Sequence, residues 1–556
     1  MKNRLLLALL LIGHFASMAQ PKFFRVMFRE DPATSFVLGI SQEQVGLSRG
    51  SNFKLYYSTN DYGTDTVAYA SDNPAKNVDR TTNMKNLDHY FFRLNGLKPN
   101  TPVYFIVAYE DALGNKEVSE RYWTSTLPDN PDAPLSIISG GDSRADLEHP
   151  DQTAESIIIR QQANIMVSKI RPHFVAFGGD YTFANSDSEW LDWFTDWELT
   201  HTPDKKITPI VPAIGNHEYP PFAVPAGAPV VHDMFDTPSA DVYYALNFGG
   251  NLLRLYTLNS EIAIPGDQTN WLVNDLQQTN TSVYWKMAQF HKPIRPHEAG
   301  KSDLNDAFDN WAQPFWDYQV RLVVESDAHV VKTTFPVMPT TLSDGQLVGN
   351  DTVDHNFVKS NNRGIVFVGE GTWAALRDGN DPKLWTKAMG GFNQVKWIWV
   401  NKDTIQVRTV ITYDPNDPDY VKNIQPLSDN NRFVIPNGIQ LWNPPSGEVV
   451  YITENGTTAR PALGIDHISA DKVELLVWPN HVKNHVANVM LVNSPEKEAS
   501  LELYNINGQL LHKERLQARG RYMETQINLE SFDAGMIFVK VESGSRSWLK
   551  KLVYSK

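Results

Sequence analysis

The stretch ITPIVPAIGNHEY, residues 207–219, runs as an apolar strand into Gly215 and then presents an amide, an imidazole and a carboxylate in succession. The same rhythm repeats on both sides. Upstream, PLSIIS (134–139) is a short apolar strand and AESIIIRQQANIMVSKI (154–170) has helical spacing, while HFVAFGG (173–179) is a strand and SEWLDWFTDWEL (188–199) a helix. Downstream, TNWLVNDLQQ (269–278) reads as a helix, VYWKMAQF (283–290) as a strand, NDAFDNWAQPFWDY (305–318) as helical and VRLVVE (320–325) as a strand. Strands alternating with helices predict a layered α/β domain with largely buried sheets, here spanning residues 135–412.

The chemistry gathers at the strand ends. The first strand runs into SGGDSR with Asp142, the second into FGGDYTFA with Asp180, and the third into Asn216 and His217. The fourth ends in QFHKP with His291 and the fifth in ESDAH with Asp327 and His329. Each alone has an ordinary explanation: a Gly-Asp turn, an Asn-His cap, a solvated strand end. Together, at the strand ends where α/β folds place their ligands, they form a set. Carboxylate, amide oxygen and imidazole without thiolate suit Fe, Mn, Zn or Mg. The donors exceed what one ion needs, which points to a two-metal cluster that activates water.

Other regions flank this domain. Between residues 20 and 128, FKLYYS, HYFFRL, VYFIVAYE and RYWTSTL alternate apolar and polar residues, separated by turns, and predict a β-sandwich. Pro128, Pro131 and Pro134 mark a linker. Residues 413–472, rich in Asn, Asp, Pro and Gly, read as loops, edge strands or linker. From 473 to 556, LLVWPNHVKN, LELYNINGQLL and FDAGMIFVKVESGSRSWLKKLVYSK are short strands with an Asn507-Gly508 hairpin signal, giving a small second β-sandwich.

The chain of 556 residues carries a formal net charge of -14, which argues against nucleic acid or an anionic membrane as its main partner. An anionic substrate therefore needs a local positive field. There is no cysteine, which excludes disulfides and thiolate-held zinc. At the start, Lys2 and Arg4, the apolar run Leu5 to Ile12 and Ser17-Met18-Ala19 read as a secretory signal over residues 1–19. No other run approaches the roughly 20 apolar residues of a membrane span, so no transmembrane anchor is expected.

The ordered run Asp142, Gly179-Asp180, Gly215-Asn216-His217-Glu218, His291 and Asp327-Ala328-His329 resembles the calcineurin-like metallophosphoesterases. LNGLKPNTPVYFIVAYE resembles a fibronectin type III strand entry, so the front domain is similar to that of purple acid phosphatases. Tyr104 stands one place late for that family's tyrosine corner. The last segment resembles the sorting domain of type IX secretion substrates, with Trp478-Pro479-Asn480-His481 departing slightly from its usual start. These resemblances imply an α/β fold, a layered metallophosphoesterase β-sandwich flanked by helices, between a fibronectin III-like sandwich and a small C-terminal one. They imply two divalent or trivalent ions (Fe, Mn or Zn), with Asp180 bridging. Asp142 and His329 complete one site, and Asn216, His291 and Asp327 the other. His217 protonates the leaving oxygen, and the turn Gly369-Glu370-Gly371 is structural.

Three departures bear on this. Phe183 stands where purple acid phosphatases have a Tyr, so tyrosinate–iron colour is not expected. Arg144 replaces a His ligand and cannot coordinate. Asp327 replaces a neutral His of a GHxH pattern and lowers the net charge of a loaded site. Arg144 is the expected compensating cation and phosphate grip, with a surface pair to Asp146 as the alternative. Lys292, Arg295 and His297 could line the substrate mouth, with His297 as a substrate-binding residue. The implied function is an exported phosphoesterase, acid phosphatase-like and acting on phosphate monoesters by attack of a metal-bound hydroxide. Type IX machinery would carry it through the periplasm to the cell surface or medium. A rival reading is a surface-located binding protein on a weakened metallophosphoesterase scaffold, and a third is a carbohydrate-adhesive protein resting on the flanking sandwiches.

Overall fold

After the linker the chain forms β1 (Leu135–Gly140), α1 (Pro150–Ile170), β2 (Phe174–Phe177), α2 (Asp187–Trp197), β3 (Ile210–Pro212), β4 (Tyr244–Phe248) and β5 (Leu253–Thr257). It continues through α3 (Asp267–Gln278), β6 (Trp285–Gln289), β7 (Val320–Glu325), β8 (Val331–Thr334) and β9 (Val366–Gly369). Strands β10 (Thr386–Gly390), β11 (Gln394–Val400), β12 (Thr404–Ile411) and β13 (Val449–Thr453) follow. The computed structural model describes residues 20–44, 49–145, 150–219, 230–340, 347–348, 351–352, 356–360, 364–442, 449–453, 473–478, 481–482, 485–492, 494–518 and 522–556. The expected leader lies outside them, as do Asp146, Pro479 and Asn480. The chain divides into two compact units, 1–460 and 461–556.

Two sheets carry the candidate site. The first runs β13-β12-β11-β1-β2-β3, and the second β4-β5-β6-β7-β9-β8-β10. Strands β1, β2 and β3 are parallel, as are β5, β6, β7 and β9. Parallel strands are covered on both faces, which is why β1, β2 and β7 read as nearly unbroken apolar runs and are buried at every residue. The apolar side chains of α1 (Ala163, Met166, Val167, Ile170) and α2 (Trp190, Trp193, Phe194, Trp197) share the first sheet's core.

The five ligand-bearing strands are not consecutive, because β4 and β5 intervene between β3 and β6. Asp142, Asp180 and Asn216 follow strands of one sheet, whereas His291 and Asp327 follow strands of the other. The sheets meet where the strands end. A methyl group on Gly178 would lie 2.2 Å from Ser326 Oγ, and one on Gly141 would lie 2.5 Å from it. Only glycine permits this approach.

Residues 20–128 form two antiparallel layers, and one of them is not separate. Lys22–Met27, Phe36–Glu43, Leu87–Leu94 and Arg80–Met84 extend the first sheet beyond β3, with Met27 opposite Ile210. The other layer is built on Ser51–Ser58 and Pro102–Glu110. Residues 413–442 do not hang free. Leu427 N donates to Lys169 O at 2.7 Å, and Asp429 pairs with Lys206 at 2.7 Å and Arg171 at 3.2 Å. β13 then closes the sheet edge against β12.

The second unit packs a three-stranded sheet (Glu474–Trp478, Val486–Val492, Tyr522–Asn528) on a five-stranded one around Leu475, Val489, Leu501 and Val539. Gly508, at φ 75°, turns its hairpin with a 3.0 Å bond to Asn505 O.

Candidate metal centre

His291 follows β6 and is fully buried. Its Nδ1 lies 2.9 Å from Gly178 O. A carbonyl only accepts, so Nδ1 carries the proton, and in the neutral ring Nε2 presents a lone pair. That nitrogen faces three oxygens: Asn216 Oδ1 at 3.1 Å, Asp180 Oδ1 at 3.1 Å and Asp327 Oδ1 at 3.7 Å. Four lone-pair atoms turned toward one another require a cation between them, either a proton or a metal ion.

The second group repeats the pattern. His329 Nε2 lies 3.0 Å from Asp142 Oδ1, yet neither atom has a hydrogen-bond partner. Asp180 Oδ2 is likewise buried and unpartnered. Buried polar atoms left orphaned in this way point to a missing ligand. Ligand atoms of Asp142, Asp180 and His291 all fall within 4.8 Å of one another. The six residues expected as ligands are thus linked by short contacts, and Asp142, Asp180 and His291 bring ligand atoms close enough together to hold a metal ion.

The backbone sets this geometry. Asp142, Asp180, Asp327 and His329 all have positive φ, at 61°, 55°, 66° and 59°. Such conformations cost energy and tend to collect at functional sites. Glu218 fixes the Asp180 turn by accepting from the backbone N–H of Asp180 (2.9 Å), Tyr181 (2.8 Å) and Gly215 (3.0 Å). Gly371, at φ 68°, gives Asp142 its space, because a Cβ there would fall 1.6 Å from Asp142 Oδ2. Asp327 N donates to that same oxygen at 2.9 Å.

Electrostatics follow from burial and crowding. Burial, aided by Asp180 and Asp327 and opposed by His291, pushes the Asp142 carboxyl up to about 8. Burial works against a charged His291, but Asp180, Asp142 and Asp327 outweigh it and hold the ring well above the usual imidazole range. Asp180 is held below the usual carboxylate range, its burial outweighed by His291 and His217. Burial, with Arg144 and Lys301, pushes His329 well below the ordinary value and keeps it a neutral ligand.

Around the cluster, His217 Nε2 lies 3.7 Å from Asp180 Oδ2, and its Nδ1 donates to Phe183 O. The Arg144 guanidinium is buried, lies 5.0 Å from the Phe183 ring centre and places Nε 3.7 Å from Asp180 Oδ2. Arg144 thus faces Asp180. Phe183 acts as a platform, since its ring also tilts against His217 at 5.2 Å.

His297 is not brought to the cluster by its side chain. Its ring is fully buried, with Nε2 2.7 Å from Thr386 Oγ1 and Nδ1 3.7 Å from Glu370 Oε1. Arg295 is also buried, packed 4.6 Å over Phe308, and Lys292 pairs with Glu261 at 2.5 Å. Sequence reasoning missed three charged residues nearby. Lys301 Nζ lies 2.7 Å from Asp327 Oδ1. Lys332 joins Glu325 and Glu370 at 2.6 Å each, buried, and so ties together the ends of β7, β8 and β9. Glu218 belonged to the quoted motif, but its structural role gave no signal.

Comparisons with known proteins accord with this architecture. Residues 476–555 match the family described as Secretion system C-terminal sorting domain. The chain thus carries an address for type IX secretion, to the cell surface or the medium. Among the described residues no helix is long and apolar enough to cross a membrane. Among solved structures, the chain is similar to purple acid phosphatase PPD1 from yellow lupin (Lupinus luteus) seeds. The two are 12% identical, with 78% of this chain and 74% of that one covered, at a TM-score of 0.56. A structure of PhoD is also similar, at 12% identity, 71% and 88% coverage and a TM-score of 0.47. The chain therefore shares the fold of that purple acid phosphatase structure. An uncharacterized Mycobacterium tuberculosis protein, found in two strains, is 24% identical over 200 residues, covering 31% of this chain. The match spans 37% of the length of those curated relatives.

Proposed function

We propose that this chain is an exported, metal-dependent phosphoesterase acting on phosphate monoesters at a two-ion centre of iron, manganese or zinc. The observation that carries the reading is the meeting of buried ligand atoms from Asp142, Asp180 and His291, beside which Asp142 Oδ1, Asp180 Oδ2 and His329 Nε2 have no hydrogen-bond partner. Asp142 and His329 would hold one ion, and Asn216, His291 and Asp327 would hold the other. Asp180 is suited to bridge because its Oδ1 faces His291 while its Oδ2 faces Arg144 and His217. When bound, the ions supply a nucleophilic water and offset the charge of the phosphoryl oxygens.

The remaining steps belong to side chains. His217 has its Nδ1 proton committed to Phe183 O, which leaves Nε2, beside Asp180, as the nitrogen through which a proton can be passed. A proton carried on Nε2 can pass to the departing alkoxide, as from a general acid. Arg144 supplies fixed positive charge and planar donors for phosphate oxygens. The preference for monoesters rests on resemblance of the scaffold alone.

One observation favours a second reading, a binding protein on a weakened scaffold: two of the three carboxylates already face cationic side chains, Lys301 and Arg144. A single pair of measurements separates them. Metal content and p-nitrophenyl phosphate turnover are compared between the wild type and Asp180→Asn. The enzyme reading expects tightly held metal and turnover in the wild type, with most of both lost in the variant. A wild type that holds metal without turnover supports the binder, and Asp180→Asn with full turnover refutes the bridging role.

A further inference from the structure

Lys301 lies on the segment between β6 and the helical residues 305–317, outside every strand end that carries a candidate ligand. Its Nζ is 2.7 Å from Asp327 Oδ1, the same oxygen that faces His291 Nε2 at 3.7 Å. Exposure rises in order through the group: side chains are 0% exposed for Asp142, 1% for Asp180, 10% for Asp327 and 22% for Lys301. Lys301 thus lies, with the equally exposed His217, on the solvent side of the cluster, the face a dissolved anion meets first.

The charges give this placement a meaning. Three carboxylates leave two divalent ions with one net positive charge, whereas an imidazole at position 327 would leave two. An aspartate paired with a lysine is formally neutral, as an imidazole is. Arg144 adds positive charge beside Asp180 and leaves Lys301 as the cation paired with Asp327 itself.

We propose, on the two-ion reading above, that Lys301 and Asp327 act as one unit: Asp327 offers an oxygen to the cation, and Lys301 restores the lost charge and binds the substrate's phosphate. Lysine suits the second part, since its long stem lets a compact ammonium move from carboxylate to phosphate. The two partners compete for the same lysine. A metal ion taking Asp327 Oδ1 must displace or share the ammonium, so Lys301 weakens metal binding at this position while strengthening phosphate binding.

Removing the lysine therefore has two effects of opposite sign. A merely structural lysine would shift both in the same direction or neither. A charge-assisted hydrogen bond changes affinity by about tenfold or more. The test uses the full chain, its Lys301→Met variant and its Lys301→Arg variant. Manganese is titrated first by calorimetry, and inorganic phosphate is then titrated into the manganese-loaded proteins. In Lys301→Met the weaker manganese site should tighten about tenfold while phosphate binding weakens about tenfold. Lys301→Arg should restore both toward the wild type. Unchanged values, or both affinities falling together, overturn the role of Lys301 and leave the two-ion centre standing. If neither wild type nor variant takes up manganese, the reading of the centre itself falls, and this proposal with it.

Discussion

Replacing Arg144 by Met tests how this centre attracts an anion despite a chain charge of -14. Methionine keeps an unbranched apolar stem for packing against Phe183 and removes only the guanidinium. Arg144 is 7% exposed, its Nε has no hydrogen-bond partner, and it sits 3.7 Å from Asp180 Oδ2. Its charge is therefore poorly screened and its Nε donor is free for a phosphate. Hydrogen bonds to charged groups contribute about 1.5–3 kcal/mol, which corresponds to a KM increase of roughly 10- to 150-fold. The contact is to phosphoryl oxygens present in both substrate and transition state, so kcat should change far less than KM. Steady-state kinetics on p-nitrophenyl phosphate, with the inhibition constant of inorganic phosphate, read both quantities. The inhibition constant should rise in step with KM, and metal content should not fall. A KM within twofold of the wild type, or a loss of kcat with KM unchanged, would refute the assignment.

Two further outcomes follow from buried charge. Asp142, pushed up to about 8, and His291, held well above its usual range, keep their protons at neutral pH, so metal loading at pH 7 should release about two protons per chain. Calorimetry of manganese binding in buffers of different ionisation enthalpy counts them, and a count near zero would contradict the ligand assignment. Separately, burial alone pushes Lys396 on β11 down to about 7, with Thr409 Oγ1 at 2.8 Å as its hydrogen-bond partner among the described residues. Its folded value lies below its unfolded one, so the unfolded chain binds more protons and stability rises with pH through this window. Lys396→Met should therefore be more stable than wild type by about 5 kcal/mol at pH 6 and about 2 kcal/mol at pH 9. Denaturant melts at the two pH values check the narrowing, and a pH-independent difference would show that the ammonium is not desolvated.

Periodicity made the parallel strands legible because double burial leaves no polar positions in them. β10 was not legible: TKAMG is half-buried throughout and offers neither an apolar run nor a clear alternation. The pairing of Met27 with Ile210 was hidden too, since an alternating strand does not disclose which sheet it will join. Within the site, strand ends announced six candidate ligands because a residue just past a parallel strand has few other places to point. Lys301 gave no such signal, as it reaches Asp327 through a long side chain from an irregular segment. His297 misled for the converse reason. It neighbours His291 in sequence, but Thr386 holds its ring through Nε2, and Glu370, 73 residues further on, accepts from its backbone N–H.

The left-handed φ angles at Asp142, Asp180, Asp327 and His329 limit which side chains these four positions can host at all. Asp, Asn and His tolerate that conformation best among residues with a Cβ, and β-branched residues worst. Exchange of an imidazole for a carboxylate at position 327 is therefore a drift the main chain permits at little cost. A valine or threonine there would distort the loop before coordination came into question. Mutational scans of this centre should accordingly separate into a narrow permissive alphabet, within which ligand chemistry is tuned, and a wider one that fails by misfolding.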